Sequence, residues 1–218
     1  MRLLARLPYD TIFSTAYAFL KTNLGLVAAS LPLLIAFAFS GEPLAAWPFF
    51  VALSALLGPA VAGAFGSFAG APFWQTYRKR FGRSLAIGAA AAFAVIVLAT
   101  DFRLALGTPF GAVTPMLALL VVLVFVTATT LLVLDDRLSW RLVVAAAYLS
   151  VRKWYLSVAS LAVLGILIGA VVTKPAIGLF LLPGPALYVV WANTRHVVAA
   201  VGALDQGSRS NHGPRFDR

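Results

Sequence analysis

Few side chains in this chain can do acid–base or metal chemistry, and they stand far apart in the sequence. Seven are carboxylates and two are histidines: Asp10, Glu42, Asp101, Asp135, Asp136, Asp205, Asp217, His196 and His212. The adjacent pair Asp135-Asp136 could bind a metal or exchange protons, but a helix boundary facing water explains it equally well. We adopt the helix boundary, because two histidines and scattered aspartates do not make a metal site.

Residues for covalent catalysis are equally sparse. Gly66-Ser67 lacks the second glycine that a nucleophile elbow needs, and both histidines lie near the C-terminus. There is no cysteine, which excludes a disulfide framework, a thiolate metal site and a cysteine nucleophile. We therefore predict no catalytic, metal-binding or cofactor-binding residues, and a protein that is not an enzyme.

Cations are concentrated in FWQTYRKRFGRS, residues 73–84, where Trp74 and Tyr77 accompany Arg78, Lys79, Arg80 and Arg83. Basic residues interleaved with aromatics are typical of nucleic-acid sites and also of segments held at a membrane surface. The surrounding elements decide between the two.

Composition places the chain in a membrane. It is 61% hydrophobic and 11% charged, with a mean hydropathy of +0.94, whereas soluble domains are about 45–50% apolar and about 25% charged. A soluble domain of 218 residues cannot bury that much apolar surface. The net charge of +10 lies almost entirely between long apolar runs, so it calls first for a topological explanation.

Six segments are apolar over roughly the 20 residues that a helix needs to cross about 30 Å of hydrocarbon. They are residues 22–40, 47–69, 84–100, 113–134, 154–173 and 176–198. None shows the period-two alternation of barrel strands, so helix is the predicted state. The predicted fold class is all-α, with one six-helix membrane domain over residues 1–200 and a disordered polar tail at 204–218.

The distribution of basic residues predicts the orientation. With both termini in the cytoplasm, the inner segments contain 15 of the 17 basic residues, and only Arg103 and Lys174 lie outside. The run 73–84 then becomes the cytoplasmic link between the second and third spans. Nucleic acid is excluded as a partner, and the predicted contacts are anionic headgroups or a partner protein. They involve Trp74, Tyr77, Arg78, Lys79, Arg80, Arg83, Arg152 and Lys153.

A secretory signal peptide is the alternative interpretation of the N-terminus. Arg2 and Arg6, an apolar run and the Ala36-Phe37-Ala38 sequence resemble a signal with its cleavage site. The segment before the run is long for a signal peptide, however, and Lys21 adjoins the run directly. We therefore predict a membrane span.

The spans follow one another as three predicted helical hairpins of the same orientation. Aromatic and basic residues precede each odd-numbered span, in segments 16–25, 73–84 and 147–157. Residues 9–21 and 139–153 are predicted to form amphipathic helices on the inner leaflet, because their apolar residues recur at helical spacing.

Proline recurs in the even-numbered spans, at Pro59, Pro115 and Pro185. Proline removes a backbone hydrogen bond and kinks a helix, so these residues either open a cavity toward the outer side or only bend helices around a packed bundle. Both interpretations stay open on sequence alone.

Two other groups of residues are candidates for packing or function. Small-residue ridges, predicted for helix packing or for docking a partner, contain Gly66, Gly70, Gly165 and Gly169. The polar end of the sixth span, WANTRH, contains Trp191, Asn193 and Arg195, and its buried amide must find a partner. Serine and threonine hydroxyls within the spans are expected to bond to the carbonyl one turn earlier.

The order of these features resembles the YesL-like family of small bacterial membrane proteins, which carry a domain of unknown function. The resemblance covers residues 9–200 and includes Tyr9, LPLLIAF in span one, Gly58-Pro59-Ala60, FWQTYRKRFGRS and the RKW turn before span five. It implies location in the bacterial inner membrane and an accessory part in carbohydrate uptake beside ABC transporters. It supplies no binding residues.

Two functions are compatible with this sequence. The first is a non-enzymatic accessory subunit that binds ABC transporter subunits or another membrane complex. The second is a substrate-binding protein similar to the capture component of an energy-coupling-factor transporter, which requires a closed, outward-facing pocket with converging polar groups.

Overall fold

A computed structural model describes residues 9–42, 45–108, 111, 113–135, 144, 148 and 151–210. Every regular element in these residues is a helix, which confirms the predicted all-α class. The helices are α1 (Tyr9–Ala38), α2 (Trp47–Leu53), α3 (Leu57–Phe68), α4 (Phe73–Ala105), α5 (Val113–Asp135), α6 (Trp154–Thr173), α7 (Pro175–Phe180) and α8 (Pro183–Ser210), with a 3-10 turn, Ser54–Leu56, between α2 and α3.

Among the residues that the structure describes, five helical segments are long and apolar enough to cross a membrane, which makes the chain a multi-pass membrane protein. They are Ala16–Ala38, Trp47–Phe68, Phe73–Ala105, Val113–Leu134 and Trp154–Thr173. The last two coincide with the predicted fourth and fifth spans, because a charged residue adjoins three of their four ends and the glycine- and proline-containing segment 107–112 precedes Val113. Helix α8 is not among the five, since the polar sequence WANTRH lowers its hydropathy.

The first and third predicted spans belong to longer helices. Helix α1 is continuous over 30 residues, so the predicted interfacial helix 9–21 and the first span are one element. Helix α4 begins at Phe73, and the link between the second and third spans is only the turn 69–72. In that turn Gly70 has a φ of +92°, a conformation that glycine adopts without steric cost.

The expectation that residues 73–84 form this link was therefore wrong. They form the first three turns of α4, because their apolar and hydroxyl side packs on α3: Phe73 and Thr76 are 4% and 6% exposed. The cations of the run lie on the other side of α4, where Arg78, Lys79 and Arg83 are exposed.

Helices α3 and α4 form the closest antiparallel pair in the bundle. They belong to different predicted hairpins. Gly58 lies against the carbonyl of Ser84, and Gly88 lies against the carbonyl of Ala55. A Cβ atom at either glycine would collide with the opposite backbone, so the two glycines permit the crossing.

The bundle has two parts, which we call the basic half and the far half. The basic half consists of residues 19–26 of α1, α3, 73–87 of α4, 126–134 of α5, 154–163 of α6 and 184–196 of α8. The far half consists of residues 27–38 of α1, α2 with the 3-10 turn, 88–105 of α4, 113–125 of α5, 164–173 of α6 and α7. Arg103 of α4 lies over the ring of Trp47 at 5.0 Å and links the C-terminal end of α4 to the N-terminal end of α2.

The predicted sixth span is divided. Helix α7 ends at Phe180, residues 181–182 form a turn, and α8 begins at Pro183. Helix α7 packs against α6, since a Cβ at Gly178 would collide with the backbone of Val171. The position of the break differs from the expected kink at Pro185, because proline is accommodated in the first turn of a new helix.

Other predicted elements lie largely outside the described residues. Of the predicted amphipathic helix 139–153, Val144, Tyr148, Val151 and Arg152 are described and are helical. Helix α8 continues through Ser210, into the predicted disordered tail, and residues 211–218 are not described.

Candidate functional site

Buried polar side chains are concentrated in the basic half. Those under 9% exposed in that half are Thr22, Asn23, Thr76, Ser84, Thr127, Thr129, Thr130, Ser160 and Thr194. Several hydroxyls donate to the carbonyl one turn earlier, as predicted, including Thr129 to Phe125 at 2.8 Å and Thr130 to Val126 at 2.9 Å. These hydroxyl groups are satisfied within their own helices.

Asn23 is a buried polar residue that joins different helices. Its side-chain Nδ2 donates to the carbonyl of Leu181 at 3.0 Å, and its Oδ1 accepts the backbone N–H of Gly184. These are backbone groups at the break between α7 and α8. Asn23 is 3% exposed, so the bonds are shielded from water and hold the broken helix in place.

Our sequence interpretation missed Asn23. The signal was present, because a carboxamide two residues inside a predicted span must find a partner. The same reasoning had singled out Asn193. Which backbone needed the carboxamide could not be read from the sequence, since Leu181 is 158 residues away.

The first turn of α8 offers no open donors for an anion. Pro183 and Pro185 have no N–H, Gly184 donates to Asn23, and Ala186 donates to the carbonyl of Leu182 at 3.0 Å. A helix start buried in a membrane protein often binds a ligand. Here its donors are already used.

The three predicted kink residues have different positions. Pro59 is fully buried in α3, directly after the 3-10 turn, and cannot donate to the carbonyl of Ala55. Pro115 and Pro185 are exposed in the first turns of α5 and α8, where proline is tolerated, so the expectation that they kink a helix was wrong. None of the three lines the cavity described next.

A cavity of about 510 Å³ occupies the far half. Its walls come from α1, the α2–α3 segment, α4, α5, α6 and α7, and its floor, next to the basic half, includes Leu26, Val126 and Leu187. The lining is apolar except for Ser30 and Ser54. Ser54 donates to the carbonyl of Val51 at 2.6 Å, which leaves Ser30 as the cavity's polar group without a hydrogen bond among the described residues.

The predicted cluster at the polar end of the sixth span is only partly assembled. The guanidinium of Arg195 lies 5.2 Å from the ring centre of Trp191, which is 4% exposed. Asn193 instead faces α6 and donates to Ser160 Oγ at 3.4 Å, a weak bond. Trp191 also belongs to an aromatic cluster with Phe19, Phe68 and Tyr188.

The aromatic residues at the start of α4 contact one another edge to face along the helix. Ring centres are 5.3 Å apart for Trp74 and Tyr77 and 5.5 Å for Tyr77 and Phe81. Trp74 is 44% exposed, next to the exposed cations Arg78 and Lys79. Near α6, Arg152 and Lys153 each lie over a tyrosine ring, at 5.9 Å. The headgroup and partner contacts of these residues stay predictions.

The predicted small-residue ridges differ in their surroundings. Gly66 lies against the side chain of Thr76 and serves internal packing. Gly70 is in the turn after α3 and is not part of a helical ridge. On α6, a Cβ at Gly165 or Gly169 would meet no atom within 4 Å, so these two glycines belong to an open surface.

Comparisons with known proteins do not assign this chain to a family. Searches of protein-family models, curated proteins and solved structures find no match. The resemblance to the YesL-like family and the implied part in carbohydrate uptake therefore stay predictions. Within the described residues, no group of three or more His, Asp or Glu side chains could hold a metal ion.

Proposed function

We propose that this protein is a non-enzymatic accessory subunit of a membrane complex, with six passes and both termini in the cytoplasm. The sixth pass would be α7 together with the first part of α8. Residues 175–195 are 21 in number, about 30 Å of helix. Gly178 lies against Val171 and Asn193 lies against Ser160, which supports an antiparallel course along α6.

The open face of α6 is the observation that carries the accessory role. Among the residues of α6, only Ser160 is buried. The exposed residues recur at helical spacing and include Tyr155, Val158, Ala159, Ala162, Gly165, Ile166, Gly169 and Val172. In lipid, helices associate through close backbone approach at small residues, and a purely lipid-facing surface has no need of them. The face around Gly165 and Gly169 therefore suits a partner helix.

An ABC transporter for carbohydrate is the partner that the family resemblance suggests. A membrane subunit of such a transporter would present an apolar helix to α6. The exposed cations of α4 would lie at the cytoplasmic surface, available for anionic headgroups or for acidic residues of that partner.

The alternative is a capture protein for a sugar or a vitamin. The cavity in the far half is large enough for such a ligand. Its lining offers Ser30 and Ser54 as polar side chains, and a sugar would leave most of its hydroxyls without partners there. The cavity thus favours the accessory role over polar-substrate capture. Tryptophan fluorescence during titration with sugars and vitamins checks this choice, and a saturable change would favour capture.

Affinity purification from native membranes tests the accessory role. The variant combines Gly165→Leu with Gly169→Leu, which fills the open face without an internal clash. We expect transporter subunits identified by mass spectrometry to accompany the wild-type chain and to be lost from this variant.

The matched control combines Ala86→Leu with Ala90→Leu on α4, where both alanines are exposed and also one turn apart. The control should keep the partner. Retention of the partner by the α6 variant would contradict the proposed docking face, and loss in the α4 variant alone would move that face to α4.

A further inference from the structure

The cavity of the far half is as large as a ligand site, and its lining is as apolar as a lipid chain. An engineered apolar cavity of about 150 Å³ holds one benzene, so a cavity of 510 Å³ has room for roughly 18 carbon atoms. Apart from Ser30 and Ser54, its walls are made of aliphatic residues and glycine with one aromatic ring, Phe125. A void of this size without an occupant would deprive its lining of packing contacts.

One residue of the cavity lining reaches the surface of the bundle. Ile168 is the exposed residue of the lining, at 63%, whereas the other lining residues are buried or half-buried. It lies midway along the far half of α6, and Val121 and Phe125 of α5 also line the cavity. Both α5 and α6 are membrane-crossing helices, so an opening between them leads into the hydrocarbon of the bilayer.

A cation stands near this opening. Lys174 connects α6 to α7 and is exposed. It is one helical turn from Val171 and one from Gly178, both of which line the cavity. Six residues of helix, about 9 Å, separate it from Ile168. The ammonium group of Lys174 can therefore lie at the level of the headgroup of a lipid whose chain enters the cavity beside Ile168.

We propose that the far half binds one hydrocarbon chain that carries an acidic headgroup. The chain enters between α5 and α6 beside Ile168 and extends to the floor at Leu26, Val126 and Leu187, while Lys174 attracts the headgroup. A phospholipid acyl chain and a free fatty acid share this chemistry. The proposal is independent of the docking face, because Gly165 and Gly169 do not line the cavity.

Photolabelling of the full chain in vesicles tests this site. The vesicles contain phosphatidylethanolamine and one probe with a diazirine at the chain end: a phosphatidylglycerol in one arm, a fatty acid of oleic acid length in the other. We expect labels on Val126 and Leu187, which are 5% and 7% exposed and out of reach of lipid around the bundle. The arm with the stronger labelling identifies the source of the chain.

Paired variants separate the cavity from the outer surface. Ala91→Phe places a ring in the cavity, and Ala90→Phe places the same ring on the exposed side of α4. Displacing even two methylene groups of the chain should lower floor labelling roughly tenfold in the first variant, and the second should label as wild type does. Val121→Phe repeats the test from the opposite wall, and gel filtration shows that each variant is folded.

Three results would overturn the proposal: labels confined to outward residues such as Phe93 and Ile166, floor labels that persist in Ala91→Phe and Val121→Phe, or saturable labelling with neither probe.

For the headgroup, Lys174→Gln should reduce labelling by the acidic probes, and Arg103→Gln, whose cation lies over Trp47, should leave it unchanged. Equal labelling in the two variants would remove Lys174 from the site.

Discussion

Helices α1, α4, α5 and α6 run through both the basic half and the far half of this bundle, yet the two halves pack in opposite ways. The side chains that are almost completely buried, among them Phe65, Leu132 and Val190, all lie in the basic half. The far half encloses a cavity of about 510 Å³ instead. Apolar composition therefore does not determine packing density inside a membrane.

The difference follows from where backbones can approach. Glycines 58 and 88 bring α3 and α4 together at the boundary between the halves, and Asn23 fixes the α7–α8 break against α1. Lipid is as apolar as leucine, so burial alone gives helices little reason to associate, and close contact depends on small residues and hydrogen bonds. The cavity in the far half is lined mainly by leucine, valine and isoleucine, with Ser30 and Ser54 as its polar side chains.

The largest expected effect is on the free energy of unfolding, when a leucine is truncated to alanine in each half. Leu132→Ala removes a fully buried side chain that packs on Ile87 and Ala128, and should lower the free energy of unfolding by about 3 kcal/mol. Leu34→Ala, at the wall of the cavity, should cost roughly 1 kcal/mol, because part of that side chain already lacks neighbours. Unfolding by SDS in detergent micelles measures both, and equal losses would contradict the contrast between the halves.

The next largest effect on stability concerns the close crossing of α3 and α4 at their glycines. In Gly88→Ala the added methyl group collides with the carbonyl of Ala55, which should cost about 2 kcal/mol. Gly82→Ala on the same helix adds a methyl group in open space and should be neutral or stabilising by up to about 1 kcal/mol. Thermal unfolding of the two variants compares them directly. Equal stability would show that α3 and α4 do not depend on this close approach.

Replacing the carboxamide of Asn23 should have a smaller effect on stability, together with a local effect on backbone hydrogen exchange. Asn23→Leu leaves the carbonyl of Leu181 and the N–H of Gly184 without partners, at a cost of about 1.5 kcal/mol. Hydrogen exchange at Gly184 should accelerate. Asn193→Leu is the control, since its bond of 3.4 Å should contribute about 0.5 kcal/mol or less. Unchanged exchange at Gly184 in Asn23→Leu would show that the break holds without this residue.

The smallest effect concerns the rim of the basic half. Arg195→Gln removes the cation over Trp191 and should cost about 0.5 kcal/mol, with a shift in tryptophan emission. Arg78→Gln removes an exposed cation that lies over no aromatic ring in the described part of the chain, and should change neither quantity. A shift of the same size in both variants would indicate a general effect of charge.

Hydropathy alone predicted much of the fold, with a physical reason for each success and failure. Residues 113–134 and 154–173 were predicted with the observed bounds, because charges adjoin residues 134, 154 and 173 and a segment with glycine and proline precedes residue 113. The start of α4 was misplaced, because hydropathy assigns a basic segment to water even when its other side packs on α3. The break before Pro183 was missed because hydropathy averages over a window, and proline can begin a helix as well as kink one.

By itself, the sequence determined that the chain is a helical membrane protein, since long apolar runs without the alternation of barrel strands cross a bilayer stably only as helices. It also identified Pro59, Asn193 and the glycines as positions of interest. Only the tertiary structure decided that Gly58, Gly66 and Gly88 face neighbouring atoms while Gly165 and Gly169 face open space, and that the far half holds a cavity. The type of a residue limits which contacts it can make, whereas the helix that lies against it determines which contact it makes.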